Sequence, residues 1–227
     1  MTLASAAFAS SGAHALPSVF DFAALVDDGP AVEGPFAAPY NPWTVGDITL
    51  TASATRSDGG VAFSYLDEKS GGKPAGLGVC SIPLGACPGT NDDNTNYGDG
   101  SPNTWTETLI LSFSDANGDP LEVELDPITF RDSNHNLAVT MVKIDDGGGA
   151  VNYGLSSSVL SAPANVVRGT RFAFTPLQFG GDFYISSLTA TKVNRQVPEP
   201  GTLALFSLGL LGLGAARRHR KQKTNAA

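Results

Sequence analysis

Few side chains in this sequence could do chemistry. Cys80 and Cys87 are its two cysteines, and its histidines are His14, His135 and His219. Six residues separate the cysteines, with Pro83, Gly85 and Pro88 around them. In an exported chain such a pair closes a loop as a disulfide, worth about 2 kcal/mol by loop entropy. A two-cysteine metal site would need partners, and of the histidines His135 alone lies in the body of the chain. A Ser-His-Asp hydrolase would have to use His135 as its base. Residues 154–158 read GLSSS rather than the Gly-x-Ser-x-Gly of a nucleophile elbow. The sequence holds neither His-Glu-x-x-His nor a phosphate-binding Gly-x-x-x-x-Gly-Lys-Ser/Thr. Carboxylates are plentiful enough for a glycosidase pair, but those that can be placed fall in turns or on solvent faces. No catalytic residue is expected.

Two weaker signals remain. The acids Asp92, Asp93, Asp99, Asp115, Asp119, Asp126, Asp132, Asp145 and Asp146 fall mostly between predicted strands. Within them, Asp115, Asn117 and Asp119 place oxygens at alternate positions, as the start of a calcium loop does. The same five residues make a good hairpin turn, so calcium is a candidate ligand and no other cofactor is expected. Trp43 and Trp105, with Tyr40 and Tyr97, lie in or beside loops rich in Pro, Gly and Asn. Exposed rings there could stack on sugar faces, or they could pack against the core or its rim.

Strands must position these groups. Ile48, Leu50 and Ala52 alternate with Thr49 and Thr51, and Val61, Phe63 and Tyr65 with Ala62 and Ser64. Leu109, Leu111 and Phe113 alternate likewise, then Leu121, Val123 and Leu125, then Leu137, Val139 and Met141. Phe172, Phe174, Phe183 and Ile185 close the series. Period two means one buried face and one wet face. Turn signals separate the runs at residues 57–60, 115–120, 145–149 and 180–181. The pattern predicts an all-β fold, an antiparallel β-sandwich or jelly-roll-like domain over residues 16–193. No amphipathic helix is predicted. The 26 Gly and 15 Pro argue against a helical bundle.

Charge is segregated. Residues 1–216 carry 9 basic and 22 acidic side chains, whereas the last eleven carry five basic ones: Arg217, Arg218, Arg220, Lys221 and Lys223. A net charge of -8 disfavours nucleic acid as a partner. Residues 201–216, GTLALFSLGLLGLGAA, hold no charge. As a single hydrophobic helix they would span roughly 24 Å against a hydrocarbon core of about 30 Å, a deficit that flanking residues and local thinning absorb. The basic residues 217–227 should stay cytoplasmic, which puts the body across the membrane. Residues 1–15 agree. They are small and mildly apolar, and Ala13-His14-Ala15 forms a small-x-small cleavage site. They lack the basic start of a signal peptide, which predicts a leader truncated at its beginning. Residues 194–200 form the linker to the span.

In order, Val197-Pro198-Glu199-Pro200, the Leu/Gly-rich span and Arg217-Arg218-His219-Arg220-Lys221 resemble the PEP-CTERM sorting signal. The resemblance covers about residues 197–221. It implies an exosortase substrate, delivered through the inner membrane to the envelope or extracellular matrix of a Gram-negative bacterium that builds exopolysaccharide. Tyr65-Leu66-Asp67, Gly76 to Cys80, Cys87, Asp92-Asp93-Asn94, Leu109 to Phe113, Ile128 to Asp132 and His135 are similar to β-sandwich bodies found beside this tail. That second resemblance implies no activity. The expectation is a non-catalytic structural or adhesive protein of an exopolysaccharide or biofilm matrix. The alternatives are a carbohydrate-binding module, calcium-assisted, and then a secreted hydrolase.

Overall fold

A computed structural model of the chain describes residues 16–81, 95, 105–161, 166–177 and 182–193. The chain divides after Val193, and the later unit, Asn194–Ala227, lies outside the described residues. So do the leader, the sorting motif and the hydrophobic helix expected over 201–216. Among the described residues no helix is long and apolar enough to cross a membrane.

The described chain runs β1 (Ser18–Asp21), α1 (Phe22–Asp27), β2 (Gly34–Pro35), β3 (Trp43–Val45), β4 (Ile48–Arg56), β5 (Phe63–Asp67), β6 (Gly76–Cys80) and β7 (Glu107–Ser114). It continues with β8 (Val123–Arg131), β9 (Met141–Asp145), β10 (Ala150–Gly154), β11 (Val159–Leu160), β12 (Val167–Gly169), β13 (Arg171–Thr175) and β14 (Tyr184–Lys192). Two antiparallel sheets form. One orders its strands β11-β8-β14-β6-β5-β2, with β1 added on β14 and β12 on β8. The other runs β10-β9-β13-β7-β4-β3.

The alternating apolar residues explain how the sheets meet. Ile48, Leu50 and Ala52 of β4 turn inward, as do Leu109, Leu111 and Phe113 of β7 and Phe172 and Phe174 of β13. Val123, Leu125, Ile128 and Phe130 of β8 supply the opposite wall. Rings cross between the sheets. Phe130 of β8 meets Phe174 of β13 at 6.2 Å, and Phe20 of β1 meets Phe113 of β7 at 6.2 Å. One main core results, with Tyr65 and Cys80 buried in a small second cluster, and the two packed sheets are the β-sandwich the alternation predicts.

Three expectations need correction. Leu137 and Met141 do not face inward; both are exposed, and β9 begins at Met141 and buries Val142 and Ile144 instead. The Leu137-Val139-Met141 run straddles the end of a loop, so its parity does not carry into the strand. Val61 is exposed and precedes β5, while β5 itself is buried on both faces from Ser64 to Asp67. A short helix, α1, also exists. Asp21 caps it, its Oδ1 accepting from the Ala24 amide at 2.9 Å, as a short acidic side chain does at a helix start.

Candidate functional site

The aspartates between strands mostly organise backbone. Asp115 Oδ1 accepts from the amides of Asn117 and Asp119 at 2.8 and 3.0 Å, and the Asp115 amide donates to the Asp119 carbonyl. Asp132 Oδ1 does the same for Asn134 and Asn136, and Asp145 Oδ1 for Gly147 and Gly149. Asp115, Asn117 and Asp119 therefore come together as a closed turn, with one Asp115 oxygen committed inside it. Among the described residues no group of three or more His, Cys, Asp or Glu is placed to hold a metal ion.

These bonds act on acidity. The Asn117 and Asp119 amides hold the Asp115 carboxyl below the ordinary value near 3.8. The Arg56 guanidinium, then the Gly60 amide, does so for Asp58, and Lys192 does so for Asp47. A carboxyl whose acidity is raised by folding favours the fold while ionised. The unfolded chain takes up protons first as pH falls, so this contribution is complete above about pH 5 and lost below the ordinary carboxylate value. Urea midpoints should therefore be flat between pH 5 and 7 and decline below pH 4. A midpoint that rises on acidification would contradict the assignment.

The two tryptophans do not form a common platform. Trp43 of β3 is half-buried and packs edge-on against Phe20 and Phe22, with centroids at 5.3 and 5.5 Å. Trp105 has the Arg56 guanidinium over its ring at 4.0 Å. That guanidinium is held by Asp58 and by the Ser81 carbonyl. Trp43 lies opposite Leu50 on β4. Arg56 lies six residues further along the same strand, roughly 20 Å away at about 3.3 Å per residue. Tyr40 donates its hydroxyl to the Pro30 carbonyl. Cys80 ends β6 with its side chain buried; Cys87 and Tyr97 lie outside the described residues.

Sequence reasoning missed a buried polar cluster. His135 Nε2 lies 2.9 Å from Asp67 Oδ2, both side chains being less than a tenth exposed. His135 Nδ1 lies 3.2 Å from the Lys73 carbonyl oxygen. Tyr184 stands edge-on to the ring at 5.4 Å. Both ring nitrogens are thus occupied by acceptors, which leaves neither for a serine hydroxyl in this arrangement. His135 has φ 61, a left-handed conformation that the Asp132–Asn136 turn enforces. Its carbonyl in turn accepts from Arg131 Nη1 at 3.0 Å.

Arg131 lines a cavity of about 420 Å³ shared by α1, residues 69–74 and the seam of β8 with β14. Asp21, Asp27, Asp28, Lys69, Thr129 and Ser187 contribute to its wall. Lys69 ties one side together. Its amide donates to Asp27 Oδ1 at 2.6 Å, and its ammonium approaches Asp28 Oδ1 and the Asp27 carbonyl at 3.4 Å.

Comparison with known proteins bears on the tail. The PEP-CTERM protein-sorting motif matches residues 196–221, which include Val197, Pro198, Glu199, Pro200, Arg217, Arg218, Arg220 and Lys221. No curated protein and no solved structure matches the chain. The tail marks an exported chain, sorted by an exosortase at the membrane.

Proposed function

We propose that the exported chain delivers a non-catalytic β-sandwich body to the cell surface or extracellular matrix, where it acts as a structural or adhesive component. The observation that carries this reading is the sorting motif at 196–221, in the same chain as two antiparallel sheets. The occupied nitrogens of His135 support the non-catalytic part. Fractionation of a host with and without its exosortase tests it. The body should reach the extracellular matrix in the first case and stay with the inner membrane in the second. Equal partition in both hosts would overturn the reading.

A disulfide between Cys80 and Cys87 belongs to this proposal. Cys80 is buried at the end of β6, and no described cysteine is free. Alkylation of the unfolded, unreduced exported protein should leave both cysteines unlabelled, and reduction should release two thiols. Full labelling without reductant would exclude the clip.

A second reading, a carbohydrate-binding module, is favoured by the polar cavity beside α1. In its calcium-assisted form, glycan binding would fall when a chelator is added. The matrix partner in either reading is exopolysaccharide.

A further inference from the structure

We propose that the cavity between α1, residues 69–74 and the β8–β14 seam binds a neutral saccharide unit through its hydroxyls. This deepens the carbohydrate reading and rests on it. A volume of about 420 Å³ lies within the range of small-molecule sites, about 300–1,000 Å³.

The wall decides the ligand class. Ladder pairing sets Asp21 opposite Ser187, and Ser187 opposite Thr129, on three adjacent strands. At about 4.8 Å per strand these side chains form a polar row roughly 10 Å wide. Beside the row stand the Asp27 and Asp28 carboxylates and the Lys69 ammonium, and Arg131 closes the end. Asp21 uses one oxygen on the Ala24 amide, and Asp27 uses one on the Lys69 amide. Each keeps a second oxygen able to accept. Lys69 and Arg131 donate, and the hydroxyls of Thr129 and Ser187 do both.

Other ligand classes fit worse. An apolar molecule would strand five charged side chains without water. An anion would face three carboxylates against two cations. A metal ion finds no set of three protein ligands among the described residues. Hydroxyl groups donate and accept at each position, so a sugar ring answers a wall that mixes both kinds. The Arg131 fork is held in place from behind, since Nη1 is fixed on the His135 carbonyl and His135 is fixed by Asp67 and Lys73.

The test is titration of the full chain with free neutral hexoses, a hexosamine and a hexuronate, followed by NMR shifts or calorimetry. Neutral hexoses should bind and perturb residues 21–28, 69–74 and 186–187, with or without a chelator. The hexuronate should bind at least about tenfold more weakly because of the carboxylates. Ala24→Trp, at an exposed position, should abolish binding with an unchanged thermal midpoint. Arg131→Gln should weaken it about tenfold or more, the loss of one charged hydrogen bond. Binding that survives Ala24→Trp, needs calcium, or occurs with the hexosamine alone would overturn the proposal, as would absence of binding to every sugar. Glycan-array binding by the Ala24→Trp protein would keep the carbohydrate reading while excluding this cavity. An array with no binding to the native chain would end both.

Discussion

Asp67→Ala should lower the stability of the sandwich by about 1–3 kcal/mol. The carboxylate lies 2.9 Å from His135 Nε2, with both side chains buried. The other ring nitrogen faces the Lys73 carbonyl. The ring is thus held between two acceptor oxygens, away from water. Removing the carboxylate leaves a buried ring nitrogen without its partner, and such a group costs its full desolvation penalty. Asp67→Asn keeps an acceptor of similar shape and should cost less than the alanine variant. Domains of this kind have about 5–15 kcal/mol in total, so the alanine variant should unfold at a much lower urea concentration. A change below about 1 kcal/mol would show that the pair is not buried as described.

Replacing Pro198-Glu199-Pro200 by three alanines should leave the chain uncleaved in the membrane fraction. Proline opposes a helix and favours extended backbone, both in itself and in the residue before it. Extended backbone is what an enzyme groove pairs with. Alanine favours helix instead, which would make the motif a poorer extended substrate. Replacing Arg217, Arg218, Arg220 and Lys221 by alanine should act differently, by weakening the cytoplasmic hold on the tail. Immunoblots of membrane and medium fractions read both. Cleaved product from the alanine-substituted motif would show that recognition lies elsewhere.

What the sequence reveals depends on the range of the interaction. The tail is legible because its physics is one-dimensional: an uncharged run, a basic end and two prolines are visible without a fold. Strands β4, β7 and β13 are legible because each keeps a single parity along its length, as Ile48, Leu50 and Ala52 do. β9 is misread because Leu137, Val139 and Met141 cross a loop boundary, which resets the parity. α1 escapes because six residues are too few for a 3.6-residue period to show. The local sequence of Trp43, rich in Pro and Asn, leaves exposure and packing both open, and Phe20 and Phe22 reach it from more than twenty residues away.

The polar sites divide the same way. The turn at Asp115 is local, so its spacing announces it, although the same spacing also suggests a cation loop. Asp67 and His135 lie 68 residues apart, and only the arrangement of β5, β6, β14 and β8 in one sheet brings them together. The wall of the cavity draws on α1, residues 69–74, β8 and β14. No window of sequence contains it.

Intact mass spectrometry of the protein recovered outside the cell tests the central claim most directly. The account predicts a C-terminus at or near Pro198-Glu199-Pro200, with residues 201–227 gone. Extracellular protein that still ends in Ala227, with Lys223 in place, would contradict it.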